Sequence, residues 1–261
     1  MNADGSDVVC FSGVDKAFGK NVIYEGLDLA IRRGEVLTIL GGSGSGKSVM
    51  LKMMLGLIAW DRGSVTVLGE DITGRDDRQM LAVRRRIGMV FQNAALFDSL
   101  TVFENLAYPL IERGLDDEPE LRARVADVLG MVDLAGTEDI MPAELSGGMR
   151  KRVGLARAVV QSPEILLFDE PTAGLDPINV RRIDELILAL RKRFGLTSVV
   201  VTHDLPSAYL VSDRLAMLAQ RRIVEVAPLA EFRSSQVKEV RAFLDAMDIG
   251  ARAPATEAAY A

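Results

Sequence analysis

The 261-residue sequence contains a single cysteine, Cys10, and a single histidine, His203. One cysteine cannot form an internal disulfide, so we expect a reducing compartment such as the cytoplasm. The first residues, MNADGSDVVCF, are acidic where a secretory signal is basic. No uncharged apolar run approaches the roughly 18 residues typical of a membrane-spanning helix. We therefore expect a soluble chain that meets a membrane only through a partner.

The sequence also lacks an excess of positive charge. It has 31 basic and 37 acidic residues and a net charge of −6. Nucleic-acid binding normally requires a strongly basic face, so we expect no nucleic-acid partner. Hydrophobic residues make up 49% of the chain, which is sufficient for a buried core, and charged residues make up 26%. This composition is typical of a globular protein and argues against a disordered one.

Short apolar runs and amphipathic stretches alternate along the chain. Helices are predicted at residues 47–60, 101–111, 118–132, 147–161, 177–194 and 205–211. Strands are predicted at residues 8–13, 22–31, 35–40, 64–68, 87–91, 165–168, 198–201, 214–218 and 222–226. The first two strands alternate apolar and polar residues, which indicates half-exposed antiparallel pairing. The pattern predicts an α/β fold with a helical insertion.

The predicted organisation is one domain at residues 6–228 followed by an extension at residues 229–261. The core of the domain occupies residues 6–92 and 164–228, and a helical subdomain occupies residues 93–163. An Ala-rich, mobile tail is expected at the end of the extension. Before that tail, an amphipathic helix is expected to carry the apolar residues Val237, Val240, Phe243, Leu244 and Met247.

Glycine is concentrated in GGSGSGKS, residues 41–48, between a predicted strand and a predicted helix. This is the G-x-x-x-x-G-K-[ST] pattern in the structural context that a phosphate-binding P-loop requires. Glycines let the backbone wrap a polyphosphate, so that N–H groups and the helix N-terminus point at negative charge. Lys47 is expected to pair with the β- and γ-phosphates, and Ser48 to bind Mg²⁺. The nucleotide-binding residues predicted here are Gly41, Gly42, Ser43, Gly44, Ser45, Gly46, Lys47, Ser48 and Val49.

A pair of carboxylates ends the apolar run ILLFDEP at residues 165–171. An Asp at the end of a buried strand beside a P-loop can hold Mg²⁺ through its water shell, which fits Asp169. Glu170 is then placed to orient or deprotonate the attacking water. Such a pair is also found in ordinary solvated turns, but the P-loop upstream favours the catalytic interpretation.

A third motif, LSGGM at residues 145–149, narrows the class of nucleotide-binding protein. With the order of the other motifs, it makes the chain resemble the ATP-binding subunits of ABC transporters over residues 8–228. The resemblance implies a P-loop NTPase core of the RecA-like type, with an antiparallel β subdomain and an inserted α-helical subdomain. It also implies binding of ATP and Mg²⁺.

The resemblance assigns roles to further residues. Phe18 matches the aromatic residue that stacks on adenine, and Gln92 matches the glutamine that links the metal and the attacking water to the helical subdomain. His203 matches the switch histidine, which can hydrogen-bond the γ-phosphate. Four residues match contacts across a dimer interface: Ser146, Gly147, Gly148 and Asp176. The resemblance thus gives Lys47, Gln92, Glu170 and His203 as catalytic residues and Ser48, Gln92 and Asp169 as metal ligands.

The implied mechanism is a homodimer that closes on two ATP molecules and reopens after hydrolysis. Two stretches, AALFDSLTVFENLAYPL at residues 94–110 and ELSGGMRKRVGLARA at residues 144–158, are together similar to those of the Mla-type, Mce-associated lipid-transport ATPases. That similarity implies a membrane permease, an Mce-domain protein and a small STAS-domain subunit as partners, and a peripheral position on the cytoplasmic side of the inner membrane. The extension helix is then expected either to contact a neighbouring subunit or to fold back on its own core.

Met149 stands where the family usually has glutamine. This departure costs about one hydrogen bond, on the order of 0.5–1.5 kcal/mol, so an inactive ATPase is not expected. Two other classes remain open: an ABC importer of a polar solute such as an amino acid, and a soluble ABC ATPase that acts on nucleic acid or ribosomes. The second normally requires another ATPase cassette or a long coiled coil, and this sequence has neither.

Overall fold

The computed structural model describes residues 7–252, with side chains up to Met247. Its helices are α1 (Lys47–Met54), α2 (Asp77–Arg84), α3 (Val102–Ile111), α4 (Glu118–Met131), α5 (Gly147–Val159), α6 (Pro177–Phe194), α7 (Leu205–Val211), α8 (Leu229–Arg233) and α9 (Lys238–Arg252). Its strands are β1 (Asp7–Phe18), β2 (Asn21–Arg32), β3 (Val36–Leu40), β4 (Arg62–Val67), β5 (Glu70–Asp71), β6 (Ile87–Val90), β7 (Ile165–Asp169), β8 (Thr197–Val201), β9 (Arg214–Ala219) and β10 (Arg222–Pro228). None of the helices within residues 7–252 combines the length and apolar character needed to cross a bilayer.

The first sheet is antiparallel and has the strand order β2-β1-β4-β5. It confirms the alternation of the first two predicted strands, because Val9 and Phe11 of β1 and Leu27 of β2 are fully or almost fully buried. Strand β1 continues to Phe18, five residues beyond its predicted end at Gly13. The pairing of β1 with β2 is irregular between Phe11 and Val14, and Gly13 there has φ 57°. The glycine therefore marks an irregularity inside the strand, not its end.

The second sheet has the order β10-β9-β3-β8-β7-β6, and its strands are parallel except for β10. Every residue of β3 and β8 is buried, as expected for a parallel sheet that is covered on both faces. Carboxyl ends of parallel strands meet at one edge, which is where ligands bind in open α/β sheets. Strands β3, β8, β7 and β6 are consecutive neighbours, so the segments that follow them are brought side by side.

The segment between β6 and β7 contains α3, α4 and α5. Helix α3 begins at a capping box in which Thr101 Oγ1 accepts from Glu104 N and Glu104 accepts from Thr101 N. The three helices share an apolar cluster with Phe168 of β7 and Val200 of β8. The predicted helical subdomain therefore packs directly on the central sheet, and its separation at residues 93–163 stays a prediction.

The C-terminal region differs from the single amphipathic stretch that was predicted. It forms two helices, α8 and α9, because Ser235 Oγ accepts from Val237 N and interrupts the helical hydrogen bonding between them. Residues 250–252 belong to α9, although the sequence placed them in the tail; residues 253–261 lie outside the described residues. Helix α2 was also missed, since only Met80 and Val83 of this short, polar helix are buried.

Candidate functional site

A cavity of about 640 Å³ opens at the carboxyl edge of the second sheet. The segments that follow β3, β6, β7 and β8 all reach it. Its lining consists of residues 41–49 together with Ile23, Gln92, Glu170, His203, Phe243 and Met247. The structure therefore brings the P-loop, the glutamine, the second carboxylate and the histidine of the sequence prediction into one site.

The loop at residues 41–48 requires glycine where it turns into α1. Gly46 has φ 108°, and an added Cβ would lie 2.6 Å from Ile23 Cγ2. The Tyr24 hydroxyl donates to Gly46 O at 2.6 Å, which holds the turn in place. Helix α1 begins directly after this glycine and has no acidic residue in its first turn. Its N-terminus is therefore suited to an anion.

The ammonium group of Lys47 is buried within this loop. It donates to Gly41 O at 2.8 Å and to Gly42 O at 3.1 Å, and it lies 4.0 Å from Glu170 Oε1. Burial lowers the pKa of Lys47, and the nearby charges of Glu170 and Asp169 oppose that shift. The cation is thus held by two carbonyls that a phosphate oxygen can replace.

Ser48 and Asp169 meet beside the loop, where Ser48 Oγ donates to Asp169 Oδ1 at 2.7 Å. Together with the Gln92 side chain they offer oxygen ligands, which Mg²⁺ prefers. No group of three or more His, Cys, Asp or Glu residues suited to a metal occurs among the described residues. The donor set fits Mg²⁺, which is bound through one or two protein groups and otherwise by water and substrate phosphates.

Glu170 is held tightly on both its backbone and its side chain. Its φ of 49° lies in the left-handed region that favours glycine, and its N–H donates to Val201 O at 2.9 Å. Its Oε2 accepts from Thr202 Oγ1 at 3.1 Å and from the backbone N of His203 at 3.3 Å, and it lies 3.0 Å from His203 Nδ1. The carboxylate is therefore fixed in the cavity wall before any ligand arrives.

Lys151 is a neighbour of this glutamate that the sequence did not indicate. The residue is buried, and its Nζ donates to Glu170 O at 3.3 Å. Burial lowers the pKa of Lys151, against the opposing charges of Glu170 and Asp169. The side chain connects helix α5, which begins at the LSGGM motif, to the backbone of Glu170.

The residues predicted to act across a dimer interface lie outside the cavity lining. Ser146 caps α5 by accepting from Met149 N at 3.2 Å. An added Cβ on Gly148 would lie 2.5 Å from Asn179 Oδ1, and the amide of Asn179 donates to Asp176. Asp176 also caps α6, and these hydrogen bonds lower its pKa. Gly148 and Asp176 are thus connected through Asn179, while exposed Gly147 lies beside them.

Phe18 is not among the residues that line the cavity. It ends β1 with 47% of its surface exposed, and Lys16 Nζ lies 4.6 Å from the centroid of its ring. Its stacking on adenine therefore stays a prediction that this geometry does not support.

The comparison with known families decides the identity of this site. Residues 24–173 match the family model described as ABC transporter. The chain belongs to the ABC transporter family. It is an ATP-hydrolysing subunit, and ATPases of this family dimerise and work with membrane permeases.

Three relatives of this ABC ATPase have names that state different transported substrates. It is 36% identical over 250 residues to the intermembrane phospholipid transport system ATP-binding protein MlaF of Escherichia coli K12, covering 96% of this chain and 93% of MlaF. It is 40% identical over 239 residues to "Probable ribonucleotide transport ATP-binding protein mkl" of Mycobacterium tuberculosis H37Rv, covering 92% and 67%. It is 40% identical over 223 residues to the methionine import ATP-binding protein MetN of Rhizobium johnstonii, covering 85% and 61%.

A solved ATP-binding cassette shows the same fold. That cassette is a dimer in a post-hydrolysis state bound to ADP and phosphate. It matches this ABC ATPase with a TM-score of 0.78 and 34% identity, over 85% of this chain and 98% of the cassette. The comparison confirms the predicted fold class.

Met149 of this ABC ATPase packs, half-buried, against the apolar cluster of the helical segment. Packing thus takes the place of the hydrogen bond that a glutamine offers. We expect Met149→Gln to leave ATP turnover within about tenfold of the wild type, because one hydrogen bond is worth about 1 kcal/mol. Steady-state phosphate release measures this, and a change of several hundredfold would contradict it.

Asp184 lies in a buried polar cluster between α6 and α7. Its Oδ2 is 2.8 Å from Ser207 Oγ, and Ser207 Oγ is 3.1 Å from Asp204 Oδ2. Ser207 Oγ donates to Asp184 Oδ2, and the other carboxylate oxygen of Asp184, Oδ1, is buried with no hydrogen-bond partner among the described residues. Burial accordingly raises the pKa of Asp184 from 3.8 to about 6.

The raised pKa of Asp184 gives stability a pH dependence. The native state binds this proton more tightly than the unfolded chain, so the contribution is fully present below pH about 4 and is lost as pH rises to about 6. Asp184→Asn mimics the neutral acid, so its gain in unfolding free energy over the wild type grows with pH, to at most about 3 kcal/mol at pH 7.5. Urea unfolding at pH 4.5 and 7.5 measures this, with Glu112→Gln, an exposed carboxylate at the end of α3, as control. A difference that does not change with pH would refute it.

Proposed function

We propose that the cavity binds the triphosphate of ATP on the P-loop and completes its catalytic site with Ser146, Gly147 and Gly148 of a second subunit. The observation that carries the proposal is the convergence of four neighbouring parallel strands on one cavity. The LSGGM serine and its glycines lie outside the lining of that cavity, as expected of groups that serve the partner's nucleotide. Asn179 lies between Gly148 and Asp176. In this proposal Asp176 therefore belongs to the same interface.

In the proposed reaction, Glu170 accepts a proton from the attacking water, whose oxygen bonds to the γ-phosphorus. The bond between the γ-phosphorus and the bridging oxygen breaks, and the products are ADP and inorganic phosphate. Lys47 moves from the carbonyls of the loop to the β- and γ-phosphates. His203 donates a hydrogen bond to the γ-phosphate, and Gln92 orients the water. Ser48, Gln92 and the water shell of Asp169 would hold Mg²⁺, which would supply charge neutralisation at the phosphate oxygens.

We infer that this ATPase energises the transport of phospholipid or another lipid across a bacterial envelope. The similarity to MlaF supports this, because it extends over nearly the full length of both chains. The similarity to the methionine importer covers only 61% of that protein. The proposed assembly places the ATPase peripherally on the cytoplasmic side of the inner membrane, with a permease, an Mce-domain protein and a STAS-domain subunit. The acidic composition continues to disfavour a nucleic-acid partner.

An apolar groove beside Gln92 is the proposed docking site of the permease. Phe97 and Tyr108 are 47% and 46% exposed, and their rings contact edge to face with centroids 5.5 Å apart. Phe91 and Pro109 line the same groove. Exposed aromatic patches of this kind are typical of protein interfaces.

The test is purification of the intact complex in mild detergent. We expect a permease and an Mce-domain protein to co-purify, and phospholipid to stimulate ATP hydrolysis. Phe97→Asp is expected to lose the permease while the isolated ATPase keeps its basal activity; Phe194→Asp, an exposed aromatic at the end of α6, is the matched control. A periplasmic amino-acid-binding protein as the functional partner would refute lipid transport and leave the ATPase assignment intact.

A further inference from the structure

The cavity has two chemically different parts. The P-loop, Lys47, Glu170 and His203 form a polar part. Ile23, Phe243 and Met247 give it an apolar part. A nucleoside triphosphate has the same division between a charged polyphosphate and a flat, largely apolar base.

Phe243 and Met247 come from α9, in the C-terminal extension, far from the P-loop in sequence. The helix is anchored by Val240 and Leu244, which are buried in a cluster with Phe232, Leu215 and Met217. Phe243 and Met247 are one helical turn apart and lie at the edge of that buried stripe, where they are only half-buried. They therefore pack partly on the core and face the cavity with the remainder of their surface.

We propose that α9 is part of the nucleotide site, and that Phe243 and Met247 contact the base of the bound nucleotide. An aromatic ring and a flexible thioether are suited to the face of a purine. Phe18, whose ring is covered on one side by Lys16, does not line the cavity. The inference rests on nucleotide binding at the P-loop and extends that site into the C-terminal extension.

This arrangement links nucleotide occupancy to the position of α9. If the base contacts the helix, then binding energy from the base stabilises the docked helix, and a docked helix raises affinity by the same factor. The C-terminal extension thereby becomes responsive to ATP at its own subunit's site.

The experiment compares ATP with inorganic tripolyphosphate, each with Mg²⁺, by isothermal titration calorimetry on the full chain. Tripolyphosphate has the charged part of ATP but no base. We expect the double variant Phe243→Ala, Met247→Ala to weaken ATP binding about tenfold, in line with base stacking on aromatic residues, and to leave tripolyphosphate binding within about twofold. Asp245→Ala, on the exposed face of α9, is expected to change neither affinity.

Two results would overturn the proposal: unchanged ATP affinity in the double variant, or equal weakening of ATP and tripolyphosphate, which would indicate an indirect effect on the P-loop. Phe243→Trp keeps a large aromatic ring if the double variant does not fold. Its emission is expected to change with ATP but not with tripolyphosphate, and an equal response to both would also overturn the proposal. A wild-type chain that bound neither ligand would refute the underlying phosphate site instead.

Discussion

Glu170→Gln is expected to bind ATP with near wild-type affinity and to release phosphate at least about a hundredfold more slowly. Glutamine keeps an oxygen that can accept from Thr202 Oγ1 and His203 N, so the geometry of the strand end is retained. It has no negative charge and cannot take a proton from water. Single-turnover phosphate release and calorimetric ATP binding measure the two effects separately.

The same variant should accumulate as an ATP-bound dimer, because the γ-phosphate that holds the two subunits together is not removed. Light scattering with and without ATP detects this species. Glu185→Gln, an exposed carboxylate on α6, is the control and is expected to hydrolyse ATP normally. Wild-type phosphate release from Glu170→Gln would show that another group activates the water.

Lys47→Ala is expected to weaken ATP binding by about two orders of magnitude or more and to abolish measurable hydrolysis. Its ammonium group is the cation that the loop itself presents, and it is held by Gly41 O and Gly42 O. Removing it takes a charge-assisted hydrogen bond from the phosphates and leaves two buried carbonyls without that donor. Titration calorimetry with ATP measures the affinity.

Lys52→Ala is the matched control for this prediction. Lys52 lies on the same helix, α1, but its side chain is exposed. It is expected to bind ATP as the wild type does. A Lys47→Ala protein with near wild-type affinity would contradict the assignment of the phosphate site.

The sequence predicted the parts of the site that local chemistry determines. The glycines of the P-loop, the strand that ends in Asp169 and Glu170, and the β-branched strand before His203 each have a signal within about ten residues. The strand order could not be predicted, because the pairing of β8 between β3 and β7 depends on packing across the whole chain. That order is what places His203 beside Glu170.

Residues that act through a single long-range contact also gave no local signal. The sequence around Lys151 predicts an exposed lysine in a basic helix, but the residue is buried and its Nζ donates to Glu170 O. The sequence indicates only that Thr202 lies at the end of a strand, but its hydroxyl donates to the Glu170 carboxylate and holds it in position. Phe243 and Met247 were recognised as one apolar face, but the sequence does not show that the face reaches the P-loop.

Helix α5 has a consequence for how hydrolysis at the two ATP sites of a dimer is coupled. Its N-cap is Ser146, which is proposed to contact the partner's nucleotide. About one turn further along, Lys151 donates to the carbonyl of Glu170 in its own subunit. A displacement of α5 therefore changes contacts at both ATP sites of the dimer. Such a rigid connection favours coupled hydrolysis at the two sites over independent hydrolysis at each. It predicts a sigmoidal dependence of the hydrolysis rate on ATP concentration.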